Sequence, residues 1–490
     1  MVQIVVALAL MAGIAALTIW LTRRGDAGHD GSARDVYLAS GKLNWLYIAG
    51  SITLTNLSTE QLVGMNGNQM FLLAWWELSG FVGLLILAFV FVPVYYRHKC
   101  TTVTQLLEQR YGGGSIRTLI SGIFLVGNIL IYLPAALYSG SLFLKSMLGV
   151  DWPLWWFAAP MAVIAAMYTI LGGLKAVAVM DTISGIGVLA IALLVVFLAL
   201  NEVGWDLSGV PSERTTMVGA ADSPIPFHTL FTGMLFIQIF YWSTNQNITQ
   251  KAMAAPTVRE AQKGVIAASV VRILIVPAIV VIPGVVSYKL MGDVGDASYG
   301  RIVAQVLPQW LAGGFAAMMA AAVIGHTAAI LNSSVALYDV DFHSRFIRPV
   351  ANHWRLAAAV SAVLTVTSIL MVPAFEGAQS IINLLQQLNG LASMPILSAF
   401  IVGLLFSGVR PSAAIVGVLW GIAFYGAYTF WWQPTGMIGL HYIDFMVLTL
   451  ASSVVAALAF NRLVLGARAE WIGLRLFRGT APVGHAEEAA

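Results

Sequence analysis

The stretch SITLTNLSTEQLVGMNGN, residues 51–68, lies inside a segment long enough to span a membrane, yet its middle is polar. Hydroxyl, amide and carboxylate side chains crowd residues 51–61, and Gly64 and Gly67 follow them. Because a bilayer core contains no water, such groups must face protein or a water-filled cavity. The pattern predicts a helix broken near the membrane midplane, a feature from which many secondary transporters build a solute site.

The composition indicates a membrane protein. The chain has 490 residues, of which 59% are hydrophobic and 10% charged, with a mean hydropathy of +0.84. Soluble domains contain roughly 25% charged residues. The apolar runs are continuous, which excludes the alternating pattern of a transmembrane β-barrel. The single cysteine, Cys100, excludes an internal disulfide and a cysteine-based zinc site, and the net charge of +3 gives no indication of nucleic-acid binding.

The apolar runs predict thirteen membrane spans in an all-α protein. They cover residues 3–22, 44–68, 71–95, 115–144, 153–172, 180–201, 226–247, 264–288, 310–339, 355–373, 380–407, 412–431 and 440–464. The first run is longer than the apolar part of a typical signal peptide, and its positive residues, Arg23 and Arg24, follow it. We therefore expect a retained first helix.

Lysine and arginine predict the orientation, because they are enriched in loops on the inner side of a membrane. With the N-terminus outside, most of the 25 fall in inner loops or in the tail, Lys251 among them. The exceptions are Lys145, Arg214, Lys289 and Arg301 in outer loops, and Arg272 inside a span. The sequence predicts a multi-pass protein of the cell (inner) membrane, with the N-terminus outside and the C-terminus in the cytoplasm.

A second polar interruption predicts an internal repeat. Residues 238–250 carry a cluster of amides and hydroxyls in the seventh span, five spans after the first interruption and in the opposite direction. An inverted repeat of five helices has this arrangement. We expect a first peripheral helix and loop at 1–43, repeat one at 44–202, repeat two at 226–407, and peripheral helices with a cytoplasmic tail at 412–490.

Ionisable residues inside the spans are Glu60, Glu77, Asp181, Arg272 and His326. Each costs about 2.5–3.5 kcal/mol at the bilayer centre, so it is normally paired or functional. Glu60 either caps the broken helix or acts in function. Asp181 either caps a helix or relays an ion. Arg272 either contacts solute or neutralises Glu60 or Glu77.

Nucleotide-binding loops, zinc spacings and nucleophile motifs are absent from the sequence, so we expect no enzyme, no resident metal and no cofactor beyond a coupling ion.

Several stretches, in this order, resemble the sodium:solute symporter family in its sugar-cotransporter branch. They are TNLSTEQLVGMNG (55–67), YTILGGLKAVAVMDTI (168–183), YWSTNQNITQKAMAA (241–255), REAQKG (259–264) and FAAMMAAAVIGHTAAILNSS (315–334). The resemblance covers roughly residues 35–410. It implies a LeuT-like core of five plus five helices, broken helices, and alternating access to a small solute at the midplane.

The resemblance also implies site residues. The solute-binding positions map to Gln61, Glu77, Tyr132, Gln238, Arg272 and Gln386. The gate positions map to Asn56, Tyr241 and Asn245. This chain departs from the sugar pattern at four positions. It has Gly80 where the pattern has serine, Tyr132 and Gln238 where the pattern has asparagine, and Arg272 where the pattern has lysine. Because an arginine fork suits a carboxylate better than lysine does, a sugar acid is an alternative solute.

The cation site departs further from the family. Main-chain carbonyls that hold sodium map to Leu54, Leu57 and Ala322, whereas the two hydroxyl positions map to Gly325 and His326. Neither offers the hard oxygen that sodium prefers. Histidine titrates near physiological pH, so its charged form could replace the ion. Proton coupling through His326, sodium coupling elsewhere and no coupling all stay open.

The sequence therefore predicts a cation:solute symporter that takes up a sugar or sugar derivative, with Na⁺ or H⁺ as the coupling ion and the lipid bilayer as its surroundings. The alternatives are a proton-coupled or uncoupled carrier of a sugar acid, and a solute sensor that uses the same fold without transport.

Overall fold

Helices make up nearly all of the part of the chain that the structure describes, which is residues 2–23, 38–57, 59–347, 352–377 and 380–473 of a computed structural model. They are α1 (Val2–Arg23), α2 (Trp45–Asn56), α3 (Thr59–Gly67), α4 (Trp75–Ile86), α5 (Val92–Arg97), α6 (Val103–Tyr111), α7 (Gly114–Gly127), α8 (Leu133–Leu148), α9 (Trp155–Glu202), α10 (Ser212–Thr215), α11 (Gly233–Ser243), α12 (Gln246–Met253), α13 (Val258–Leu274), α14 (Val276–Met291), α15 (Ser298–Val306), α16 (Gln309–Leu337), α17 (His353–Met371), α18 (Ile381–Leu405), α19 (Pro411–Ala427) and α20 (Tyr442–Leu463).

Shorter elements join these helices. The 3₁₀ turns are Ala39–Gly41, Phe71–Ala74, Phe227–Phe231, Gly295–Ala297 and Val372–Phe375, and the π-helical turns are Leu87–Phe91, Asn128–Tyr132, Tyr338–Ile347 and Tyr428–Trp432. Two short strands, β1 (Phe406–Ser407) and β2 (Glu470–Trp471), pair antiparallel and fasten the chain after α20 to the end of α18.

The helices account for the thirteen predicted spans. Within the described residues, nine helices, several of them running through π turns, are long and apolar enough to cross a membrane. Two further apolar helices, Trp155–Ile170 and Gly233–Ser243, are shorter. The helix α1 and the interrupted pair α2 and α3 lie at the positions of the remaining two predicted spans.

Both predicted interruptions are present. The helix α2 ends at Asn56 and is followed by Leu57, whose φ of −76° and ψ of 53° are not helical; α3 begins at Thr59. The second interruption lies between Ser243 and Gln246, where the Asn245 side chain caps α12 by accepting a hydrogen bond from the Asn247 N–H at 2.9 Å. Each interruption places helix ends in the middle of the bundle. The backbone N–H and C=O groups at these ends have no partner within their own helix.

A bend at Gly173 divides α9 into the two predicted spans five and six. Gly173 has φ 51° and ψ −149°, a conformation that side-chain-bearing residues rarely adopt. Asp181 lies about two turns beyond this bend and inside the helix. The alternative that Asp181 caps a helix N-terminus is therefore wrong.

The end of α3 is fixed to α14 by the Asn66 side chain. Its amide donates to the carbonyl oxygens of Leu62 at 2.8 Å and Ile279 at 3.2 Å, and its oxygen accepts from the Gly284 N–H at 2.7 Å. A β-carbon on Gly284 would overlap the Asn66 backbone. Because Asn66 is completely buried, these contacts hold the second half of the broken helix against the scaffold.

We expect Asn66→Ala to lower the free energy of unfolding by about 1–3 kcal/mol, because it leaves the Gly284 N–H and a carbonyl without partners in a dry interior. Thermal unfolding of the purified protein in detergent measures the effect. Thr367→Ala, which removes a hydroxyl bonded only within its own helix, is the control and should leave the midpoint nearly unchanged. Equal midpoints for the two variants would contradict the assigned role of Asn66.

Candidate functional site

A cavity lies beside the two helix interruptions. Side chains of α3, α4, α11, α12, α13, α16 and α18 line it, together with Tyr132 of a π turn. Eight of the predicted site residues are in this lining: Gln61, Tyr132, Gln238, Tyr241, Asn245, Arg272, Gln386 and His326. Glu60, Trp76, Trp242, Asn247 and Asn389 also line it. The lining does not include the predicted residues Glu77, Asp181, Leu57, Ala322 and Gly325.

Arg272 contacts the cavity but is paired with Glu77. Its Nη2 lies 2.5 Å from Glu77 Oε2, and both side chains are buried. The guanidinium carbon lies 4.3 Å from the centre of the Trp242 ring, a cation–π distance. A β-carbon on Gly80 would lie 2.7 Å from Arg272 Nε. The glycine that replaces the family's serine therefore makes room for the arginine.

The side-chain amide of Gln238 forms hydrogen bonds with other groups of the protein. Its amide nitrogen donates to the Trp76 carbonyl at 2.8 Å and to Ser79 Oγ at 2.9 Å, and its oxygen accepts from the Trp242 indole at 2.9 Å. These contacts fix the orientation of the Trp242 indole and hold the backbone of α4 at Trp76 against α11. Gln238 thus positions the aromatic wall.

Tyr132 and the first turns of α18 form another part of the cavity wall. The Tyr132 hydroxyl donates to Asn389 Oδ1 at 2.6 Å, and Gln386 lies one turn before Asn389 on the same helix. This pair joins the π turn before α8 to α18. The hydroxyl and amide groups present neutral donors and acceptors to the cavity.

Glu60 and His326 meet at the predicted cation site. Glu60 Oε2 lies 3.3 Å from His326 Nε2, and both residues are in the cavity lining. His326 Nδ1 is buried without a hydrogen-bond partner among the described residues. The pair joins the first turn of α3, next to the helix interruption, to the middle of α16. An acid and a base therefore meet at the position predicted for the coupling cation.

A second buried acid–base pair lies behind Gly325. Lys251 Nζ lies 3.1 Å from both Asp181 Oδ2 and the Ser51 carbonyl, and Ser51 Oγ donates to the same carboxylate oxygen at 2.8 Å. A β-carbon on Gly325 would overlap the other Asp181 oxygen. Lys251 was predicted to be an inner-loop charge, and this is wrong because its side chain is only 1% exposed.

Two of the three predicted gate residues have described side chains. Tyr241 lines the cavity, and Asn245 both lines it and caps α12. Asn247 accepts a short hydrogen bond from Ser333 of α16. The side chains of Asn56 and Leu54 lie outside the described part of the chain, so their predicted contacts stay predictions.

The family model "Sodium:solute symporter family" matches residues 36–421. The chain belongs to the sodium:solute symporter family. Among curated proteins it is 32% identical to the uncharacterized symporter YidK of Escherichia coli, over 84% of this chain and 76% of that protein. It is 28% identical to the sodium/glucose cotransporter of Vibrio parahaemolyticus, over 94% of this chain and 90% of that protein.

Solved structures show the same fold for this symporter. A Na⁺-coupled sialic acid symporter in a substrate-bound outward-open state aligns with a TM-score of 0.80 at 18% identity, covering 96% of this chain and 99% of that chain. Mhp1, a nucleobase-cation-symport-1 family transporter, aligns with a TM-score of 0.57 at 14% identity, over 87% and 94% of the two chains. The symporter therefore has the predicted all-α LeuT-like fold.

Sequence reasoning missed Trp76, Trp242, Asn389 and Lys251 as parts of the site. The two tryptophans lie in apolar runs, where an aromatic residue usually packs in the core. Lys251 follows the second polar interruption by only a few residues. A lysine so close to a polar interruption of a span was a signal that it could be buried and need an acidic partner.

We expect Arg272→Gln and Glu77→Gln each to lower the unfolding temperature of the symporter strongly, because each leaves one buried charge unpaired, at a cost of about 3–5 kcal/mol. The double variant should recover most of the loss. Lys263→Gln, which breaks an exposed pair with Glu260 on the same helix, is the control and should have little effect. Additive losses in the double variant would mean that the two side chains do not act as a pair.

Proposed function

We propose that this symporter takes up a neutral polyhydroxylated solute, a sugar or sugar derivative, together with a proton. The observation that carries the proposal is the contact between Glu60 and His326 in the wall of the cavity. Family membership and the similarity to a sodium/glucose cotransporter support cation-coupled sugar uptake. The choice of proton over sodium rests on this chain's own residues.

The residues at the cation site favour a proton. Gly325 has no side chain, and His326 offers a nitrogen, whereas a sodium ion is best held by oxygen atoms. A protonated imidazole next to the Glu60 carboxylate forms an ion pair that needs no external ion. Since the pair joins α3 to α16, loss of the proton leaves Glu60 without its cation and weakens the contact between these helices. Proton binding thereby favours one arrangement of the broken helix.

The charges around the cavity favour a neutral solute. Glu77 and Arg272 cancel each other, and Glu60 is neutralised when His326 holds a proton. A solute carboxylate would add a buried negative charge, and in the described cavity lining the guanidinium is that of Arg272, which Glu77 holds. The amides of Gln61, Gln386 and Asn389 and the indole of Trp76 suit hydroxyl groups and the apolar face of a sugar ring.

The transport cycle follows from the predicted repeats. We infer that residues 44–202 and 226–407 are the two inverted halves that alternate the exposure of the cavity, and that Tyr241, Asn56 and Asn245 form its inner gate. Residues 1–43 and 412–490 are peripheral. The distribution of lysine and arginine supports a place in the cell (inner) membrane, with the N-terminus outside and the C-terminus in the cytoplasm.

Uptake into proteoliposomes tests the coupling ion. We expect an imposed pH gradient to drive accumulation of a labelled neutral sugar without sodium. His326→Ala and Glu60→Gln should each abolish accumulation, while His326→Ala retains exchange of solute across the membrane if the cavity still binds it. His98→Ala, outside the cavity lining, is the control and should transport normally.

Uptake that a sodium gradient drives and a pH gradient does not would overturn the proton assignment. Binding of solute with no accumulation under either gradient would instead favour the sensor. Both results are read against empty liposomes, so leakage of solute does not count as transport.

We expect Arg272→Gln to weaken binding of a neutral sugar and of the corresponding uronic acid to a similar degree, because Arg272 is held by Glu77 and acts on the shape of the aromatic wall. Competition binding with both solutes to the purified protein measures the two affinities. A loss of affinity for the uronic acid alone would show that Arg272 binds a solute carboxylate and would support the sugar-acid alternative.

A further inference from the structure

The end of α3 and the beginning of α18 meet at a small polar contact, the α3–α18 junction. Asn68, which follows α3, donates through its amide to Ser380 Oγ at 3.1 Å and accepts from the Asn383 amide at 3.3 Å. Further along, a β-carbon on Gly64 would lie 2.8 Å from Ile382 Cβ, so the two helices touch. Both helices line the cavity. Separation of the junction would therefore open the cavity at this end.

A buried carboxyl group is inserted into the junction. Asp296 lies in the short 3₁₀ turn Gly295–Ala297, in the connection between α14 and α15 and outside the membrane-spanning segments. Its Oδ2 accepts a hydrogen bond from the N–H of Ile381, the first residue of α18, at 2.9 Å. Its Oδ1 faces Gly67, the last residue of α3, where a β-carbon would overlap it. Among the described residues, this oxygen has no hydrogen-bond partner.

No cation among the described residues neutralises Asp296. The end of α3 and the first turns of α18 carry no titratable side chain. The other titratable groups on the elements packed around it are Tyr138, Lys145, Asp293, Tyr299, Arg301 and Glu376. Lys145 lies in the last turn of α8, with its Nζ 3.7 Å from Asp151 Oδ1. Arg301 is exposed, and Asp293 is paired with Arg214. An ionised Asp296 would thus be a buried charge with one backbone donor and the weak field of a helix N-terminus to stabilise it.

We propose that Asp296 is a second proton-binding site and that it makes the α3–α18 junction a proton-stabilised closure, held shut while the carboxyl group is neutral and loosened when it ionises. The inference rests on the proposed function only in taking the cavity as the solute site. Burial of a neutral carboxyl group costs much less than burial of an unpaired carboxylate, which costs several kcal/mol. The closed junction therefore binds the proton more tightly than the open one does.

The direction of the pKa shift agrees with this geometry. Burial raises the pKa of Asp296 to about 7, although the hydrogen bond from Ile381 acts in the opposite direction. An aspartate in water has a pKa of about 3.9. Between these two values the closed junction holds the proton and the open one has lost it, so rising pH opens the junction until about pH 7 and has little further effect. If this face is the outer one, as the charge distribution predicts, protons outside would favour closure, the direction that symport needs.

Thiol labelling tests the closure in the full chain in nanodiscs, without solute or gradient. The only native cysteine is replaced in Cys100→Ser, and Ile382→Cys places a buried reporter between α3 and α18. The labelling reagent is a dithiodipyridine, which reacts with thiols at acidic as well as at neutral pH. The labelling rates of the reporter protein and of the same protein with Asp296→Asn are compared at equal pH, so the titration of the thiol cancels in their ratio.

We expect the rate of the reporter protein relative to its Asp296→Asn variant to rise at least about tenfold from pH 5 to pH 7.5 and then to level off, because asparagine mimics the neutral carboxyl group. Asp293→Asn removes an exposed carboxylate from the same connection and is the matched control, whose ratio should not change with pH. Gly67→Ala should speed labelling at every pH by pushing Asp296 out of the junction.

A ratio that stays flat with pH, or an equal effect in Asp293→Asn, would overturn the closure. Should Asp296→Asn fail to fold, unchanged labelling in Gly67→Ala would overturn it as well. Labelling needs neither solute nor gradient, so it tests the closure even if uptake is not driven by protons. Uptake likewise tests the coupling ion even if the closure is disproved.

Discussion

The structure depends on one constraint: the bilayer core has no water to solvate a charge, so each buried charge needs a partner inside the protein. Among the described residues, Glu60 pairs with His326, Glu77 with Arg272, and Asp181 with Lys251. Each pair joins two different helices, one of which belongs to or flanks an interrupted span. The charges therefore hold the interrupted helices in place.

The three pairs differ in what they can do. The pair of Arg272 and Glu77 contains an arginine, which keeps its proton under all physiological conditions, so it is a fixed support for the aromatic wall. The pair of Glu60 and His326 contains an imidazole, a group that can bind and release a proton, and the proposed coupling rests on this property. In the proposed mechanism, loss of this proton weakens a contact beside a helix interruption, whereas the pair of Arg272 and Glu77 keeps its charges.

Much of the fold and part of the site could be predicted from the sequence. Hydropathy fixes the spans, because a helix must be apolar for about 20 residues to cross the core, and the polar clusters at residues 51–68 and 238–250 marked both interruptions. Eight predicted site residues line one cavity. The repeat boundaries and the orientation are still predictions, since neither follows from the packing of a single chain without a membrane.

The sequence by itself determined the spans, the interruptions and which polar residues had to be buried, because these follow from the cost of placing polar groups in lipid. Only the tertiary structure decided the partners. Asp181 and Lys251 are 70 residues apart in sequence, and the choice between Glu60 and Glu77 as the partner of Arg272 depended on how α4 and α13 cross at Gly80. Likewise, Asp296 is an ordinary loop aspartate in the sequence and becomes a buried, unpaired carboxyl group only where α3 and α18 converge on it.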